Sequence, residues 1–210
     1  MVKNISWKRL FYILLSLNIL IVLCITFLIF SPVASVDKPE SEPIDLNDRS
    51  QFVVRTTKGN LNDLMNAYIT KFLKQTEHKY SVTLEDDVLL EGELPVFSST
   101  VPLSVRLEPV VEDNGHLILK QQSIALGSLQ LPNKKIMEYM AKYLPVPEWV
   151  TILPQDQEIY VSLQDLNLKS NFDVRVNTFD LEANDLSFTF YVPYKTLGID
   201  PLPVDQMANE

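Results

Sequence analysis

The sequence predicts an α+β protein: an N-terminal transmembrane helix, then a long curved antiparallel β-meander wrapped on one amphipathic helix. A second short helix and further antiparallel strands complete the pattern. Three observations carry this. Leu10 to Phe30 is a run of 21 residues without a charge. Apolar side chains recur at helical spacing from Leu61 to Leu73. Apolar and polar residues then alternate between turn signals over most of the remaining chain.

At about 1.5 Å per residue, a helix over 10–30 spans about 30 Å, the thickness of a bilayer's hydrocarbon. Its polar members Ser16, Asn18, Cys24 and Thr26 are uncharged and able to bond back to the helix. Lys3, Lys8 and Arg9 precede the run and the first charge after it is Asp37. Basic flanks stay in the cytoplasm, so residues 31–210 are expected outside the cell membrane. An uncleaved anchor is favoured over a signal peptide, whose apolar core is about 7 to 15 residues, although Val33-Ala34-Ser35 is a passable cleavage site. Cys24 is the only cysteine, which excludes a disulfide within the chain and a cysteine metal site. Beyond residue 30 the chain carries 15 basic and 27 acidic side chains, a net charge near −12. That balance excludes nucleic acid or an anionic wall polymer as a partner held by charge.

Residues 1–9 read as a cytoplasmic flank and 31–50 as a linker rich in Pro, Ser and acids. The extracytoplasmic domain is expected over 51–195, with a loosely ordered tail over 196–210. Gln51–Thr56 reads as a short strand. In the helix that follows, Leu61, Leu64, Met65, Tyr68, Ile69, Phe72 and Leu73 form one apolar stripe, which predicts burial against a sheet. Asn60 is placed to cap its start, and Lys71 and Lys74 suit its end. Strands follow over 80–84, 90–96, 101–111 and 116–126, the last two joined through Asp113-Asn114-Gly115, whose Asn-Gly pair favours a tight hairpin. A second helix starts near Pro132 and presents Ile136, Met137, Met140, Tyr143 and Leu144. Glu148-Trp149-Val150-Thr151-Ile152-Leu153-Pro154 reads as an exposed apolar loop between prolines. Strands over 158–169, 172–177 and 186–193 close the domain.

The order of these signals resembles a known family. Leu61-Asn62 begins the first soluble helix, and Gly127-x-Leu129-x-Leu131-Pro132 leads into the second. Leu144-Pro145, Pro147-Glu148-Trp149-Val150 and Asp180-Leu181 follow, before a Phe-rich last strand ending at Pro193. This is similar to the YpmS family, small anchored proteins of Gram-positive bacteria, over nearly the whole chain. Its motifs are structural punctuation and the family has no established reaction, so the resemblance brings no catalytic residue. The helix, meander and Leu-Pro turn also resemble half of a tubular lipid-binding fold, a fold-level analogy.

Sequence patterns for catalysis are weak. His78 and His116 are the only histidines, and both are expected as solvated turn residues without a nucleophile or second ligand at a useful spacing. Glu85-Asp86-Asp87 and Asp180, Glu182, Asp185 could serve acid-base work on a sugar or hold calcium, but they read better as hydrated turns. Lys134-Lys135 reads as surface. No catalytic residue, metal or cofactor is expected. The sequence points instead to a non-enzymatic module that binds lipid or another apolar ligand in a groove between helix and sheet, serving cell-envelope biogenesis. Leu64, Tyr68 and Phe72 with Leu103 and Val105 are the expected groove. The alternative is an anchored scaffold that recruits an envelope enzyme through its acidic surface and the Trp149, Val150 and Ile152 loop.

Overall fold

The structure is a computed structural model and describes residues 7–32, 35–39, 49–96, 99–128, 131–166 and 172–198. The apolar run forms α1 (Trp7–Phe30), three residues longer at its start than its uncharged stretch and with no buried side chain. Asn18 donates its side-chain amide to the Leu14 carbonyl at 2.9 Å, so the polar residue is satisfied within the helix, as lipid would require. By length and composition α1 is able to cross a membrane.

The body contains two antiparallel sheets. Strands β2 (Tyr80–Leu84), β3 (Val88–Val96), β4 (Ser99–Val111), β5 (Leu117–Leu126), β6 (Val150–Leu153) and β7 (Glu158–Val161) form a six-stranded sheet in the order β2-β3-β4-β5-β7-β6. The 13-residue β4 and a register shift at Arg106/Leu107 let this sheet curl into a half-barrel. The second sheet, in the order β1-β9-β8, joins β1 (Arg49–Thr56) and β8 (Asp173–Asp180) through β9 (Asp185–Pro193).

The hairpin between β4 and β5 forms where Asn-Gly predicts it. Gly115 adopts φ +81°, its N–H bonds the Glu112 carbonyl at 2.8 Å, and Glu112 N–H bonds the His116 carbonyl at 2.9 Å. Two later strands end differently from the apolar pattern. β7 stops at Val161 and passes into a single 3-10 turn at Leu163–Asp165, while β8 runs on to Asp180. The Trp149 segment is also different: Val150–Leu153 is strand β6 rather than an exposed loop, and Ile152 and Leu153 are buried. β6 pairs with β7 at the end of the sheet, and its apolar side chains Ile152 and Leu153 enter the core.

The helices divide their work in a way the apolar stripes do not foretell. Helix α3 (Asn133–Tyr143) turns Ile136, Met137 and Met140 into the half-barrel, where they pack with Leu94, Leu103, Val105 and Leu107 from the sheet and Val176 and Leu186 from β8 and β9. Helix α2 (Lys58–Leu73) buries only Leu73 completely. It lies along the sheet's edge strand β2 and meets it with asparagines. Asn66 Nδ2 donates to the Val82 carbonyl at 2.7 Å, Asn66 Oδ1 accepts from Val82 N–H at 3.1 Å, and Asn62 Oδ1 accepts from Leu84 N–H at 3.2 Å. An edge strand leaves unpaired donors and acceptors, and these amides cover them. Turning Asn62 and Asn66 inward rotates the far side of the stripe outward, so Leu64 is 67% exposed and Tyr68 41%. Thr57, not Asn60, caps α2: its hydroxyl accepts from Asn60 N–H.

Candidate functional site

The exposed flank of α2 is where sequence-predicted site residues meet. Tyr68 and Phe72, one helical turn apart, stack with ring centres 6.2 Å apart and planes 8° from parallel. The indole of Trp149 leans on Tyr68 at 5.7 Å, and its N–H donates to the Tyr68 hydroxyl at 3.3 Å. Leu64 lies one turn before Tyr68 on the same flank. Three groove residues and one residue of the expected interaction loop therefore form a single aromatic corner, open at Leu64 and Tyr68.

The corner is held from beneath. The Tyr80 hydroxyl donates to the Pro145 carbonyl at 2.9 Å, which ties the Leu144–Pro147 stretch to β2. Burial pushes the Tyr80 phenol up to about 12, with Tyr68 nearby adding to the rise, so this donor stays protonated at any ordinary pH. Gly92 makes room for it: a Cβ there would sit 2.6 Å from Tyr80 Cβ across the β2–β3 ladder. Ser162 N–H donates to the Trp149 carbonyl at 2.8 Å and fixes the other end of the indole's backbone. Tyr80 carries no sequence signal for this duty, because a tyrosine at a strand start reads only as a good strand former.

The other expected residues lie elsewhere. Leu103 and Val105 are 2% and 0% exposed, in the core against α3 rather than beside Leu64 and Tyr68. Ile152 is buried in the same core and Val150 is half-buried against it. A second apolar surface was missed. Phe52, Val53 and Val54 of the edge strand β1 are 50%, 65% and 46% exposed. By register, Phe52 and Val54 share a face with Phe190 and Phe188 of β9. The signal was three consecutive apolar residues in a strand with no alternation.

The acidic turns act structurally. Arg106 Nη1 donates to Glu85 at 3.1 Å and to Asp87 at 2.7 Å, and those bonds raise its pKa further. Asp180 Oδ1 accepts from Ala183 N–H at 2.8 Å within its own turn. His116, expected in solvent, is fully buried with its ring 5.2 Å from Tyr160. The hairpin end is clamped by β8, where Val176 N–H donates to the Gly115 carbonyl at 2.9 Å, so the turn residue is covered. Among the described residues no group of three His, Cys, Asp or Glu is arranged to hold a metal ion.

The profile of a bacterial protein family, described as "Uncharacterized protein conserved in bacteria (DUF2140)", matches residues 5–192. The chain belongs to that family. A similar protein, "Uncharacterized protein YpmS" of Bacillus subtilis (strain 168), is 29% identical over 192 residues, covering 90% of this chain and 98% of its own length. The resemblance to the YpmS family drawn from motifs therefore holds over the N-terminal helix and the body alike. No solved structure matches. Several of the family-like motifs sit at structural joints: Gly127 takes φ +54° after β5, Pro132 stands at the α3 N-cap, and Leu181 is buried in the turn between β8 and β9.

Proposed function

We propose that this member of the DUF2140 family is a non-enzymatic module, anchored in the cell membrane by α1 with its body outside the cytoplasm, that binds lipid or another apolar ligand and serves cell-envelope biogenesis. The aromatic corner carries the reading. Leu64 and Tyr68 stay exposed on a body rich in carboxylates, while Asn62 and Asn66 take the inward face of the same helix. Tyr and Trp, with an apolar ring and a polar tip, suit contact with an amphiphile. Phe72 and Trp149 fix the shape of the corner. Leu103 and Val105, buried in the core against α3, belong in this reading to the packed interior of the sheet and not to the contact surface. The proposed likeness to tubular lipid-binding domains belongs to the same reading, since a curved sheet with a helix at its edge is a frame for such a contact.

A bilayer phospholipid carrying a diazirine on its acyl chain tests the reading on the full-length protein in nanodiscs. Crosslinks are expected on 58–73 and around Trp149, and they should fall severalfold in Tyr68→Asp. Crosslinks confined to α1 would overturn it. The scaffold reading draws on the same corner, with the Trp149 indole and the acidic surface offered to an envelope enzyme. It predicts that Trp149→Ala removes a protein crosslink in cells while the melting temperature holds.

A further inference from the structure

A polar cleft of about 390 Å³ opens between the β4–β5 hairpin end and the β8–β9 ribbon. Glu112, Asp113 and Gly115 line one wall, and Arg175, Asn177 and Tyr191 line the other. The Arg175 stem crosses Gly115 so closely that a Cβ on that glycine would lie 2.6 Å from Arg175 Cβ, and the guanidinium extends over the Tyr191 ring at 5.6 Å. Among the described residues it forms no ion pair, although two carboxylates share its cleft. Its Nε is buried without a hydrogen-bond partner. Glu112 gives one carboxylate oxygen to Lys38, and its other oxygen is buried and unpartnered. Behind them both ring nitrogens of the fully buried His116 also lack a partner.

Native proteins rarely leave buried donors and acceptors unmatched, because each such atom forfeits its hydration. Here orphaned atoms of Glu112 and Arg175 belong to residues that line one opening, and the buried His116 stands next to Gly115 in the same hairpin end. A cleft of this size accepts a small molecule. Its charges are separated: an unpaired guanidinium, rigidly backed by an aromatic ring, faces carboxylates that it does not reach. A simple anion would be repelled by Glu112 and Asp113, and a simple cation by Arg175.

We infer that this cleft binds a small zwitterion, with Arg175 receiving the anionic group and Glu112 and Asp113 receiving the ammonium. An aminoalkyl phosphate has this chemistry, either free or as the headgroup of a lipid. The inference does not depend on the apolar corner, which belongs to α2 and the Trp149 segment. Guanidinium pairs with phosphate or carboxylate through two parallel N–H bonds, and the Tyr191 ring backs the Arg175 guanidinium from one side.

Calorimetric titration of the detergent-solubilised full chain with O-phosphoethanolamine tests it, with ethanolamine and inorganic phosphate titrated separately. Saturable binding of O-phosphoethanolamine is expected, with each half weaker by roughly tenfold or more. Arg175→Met keeps the stem over Gly115 and removes the charge, and Glu112→Gln alters only the carboxylate. Both should weaken binding roughly tenfold while leaving the melting temperature followed by circular dichroism in place. No saturable heat up to roughly 10 mM, phosphate binding as tightly as O-phosphoethanolamine, or unchanged affinity in both variants would each overturn the inference. Nanodiscs then separate the sources. Displacement of the probe by phosphatidylethanolamine discs and not by phosphatidylglycerol discs supports the site with a lipid headgroup as ligand. Failure of both discs to displace a probe that binds supports it with a free zwitterion.

Discussion

At the scale of single residues, burial reverses what local sequence implies. His116 follows an Asn-Gly turn, where an imidazole is usually wet, yet here it lies under β8. Desolvation lowers its pKa below the ordinary 6.5, and Lys38 and Arg175 act in the same direction while Asp165 and Glu112 oppose it. Above pH 6.5 the ring is neutral in both folded and unfolded chains and adds no pH dependence. As pH falls below 6.5, the unfolded chain takes up a proton that the folded one refuses, so stability declines and levels off once the folded ring titrates. Urea midpoints measured across this window should fall with acid in the parent and fall less in His116→Phe. Tyr80 gives a second residue-scale expectation. Tyr80→Phe removes the bond to Pro145 and should cost about 1 kcal/mol in denaturant unfolding. With Trp7→Phe as background, the Trp149 emission should shift as the Leu144–Pro147 stretch loosens. Neither role was legible in advance, because both depend on partners far away in sequence.

At the scale of elements, the strands were legible and the seating of the helices was not. Period-two alternation between turn residues locates β2 to β5 and β9 because a strand's faces are written directly in its order. A helical stripe states only that some face will be buried. Asn62 and Asn66 look like ordinary surface residues until the free edge of β2 is beside them, and their bonds decide which part of the stripe turns outward. Leu64, Tyr68 and Phe72, expected in the groove, lie on one flank of α2 as their spacing implies. Leu103 and Val105 were assigned to the same groove because strand alternation does not say which helix a sheet face will meet. The consequence is measurable. Asn66→Ala strands the backbone groups of Val82 and should cost about 1–3 kcal/mol. Leu64→Gln should stay within about 0.5 kcal/mol. The reverse ranking by chemical denaturation would show that α2 docks through its apolar stripe.

At the scale of the whole molecule, one membrane-length helix and a strongly acidic body divide the chain into a part suited to lipid and a part suited to water. The proposed orientation predicts that a phosphatase reporter fused after Glu210 is active only outside the cytoplasm. Activity confined to the cytosol would place the corner and the cleft on the wrong side for an envelope role. The pairing of β1 with β9 has a further consequence. Arg49 lies opposite Pro193 and Thr56 opposite Leu186, so among the described residues the first strand of the body finds its sheet neighbour only in the last one. During synthesis, at about 5–20 residues per second, Phe52, Val53 and Val54 wait roughly 7–27 s for that neighbour to emerge. In the proposed orientation a bare apolar ribbon would stand just beyond the bilayer throughout that interval, and nascent chains would need shielding from one another there until the last hairpin arrives.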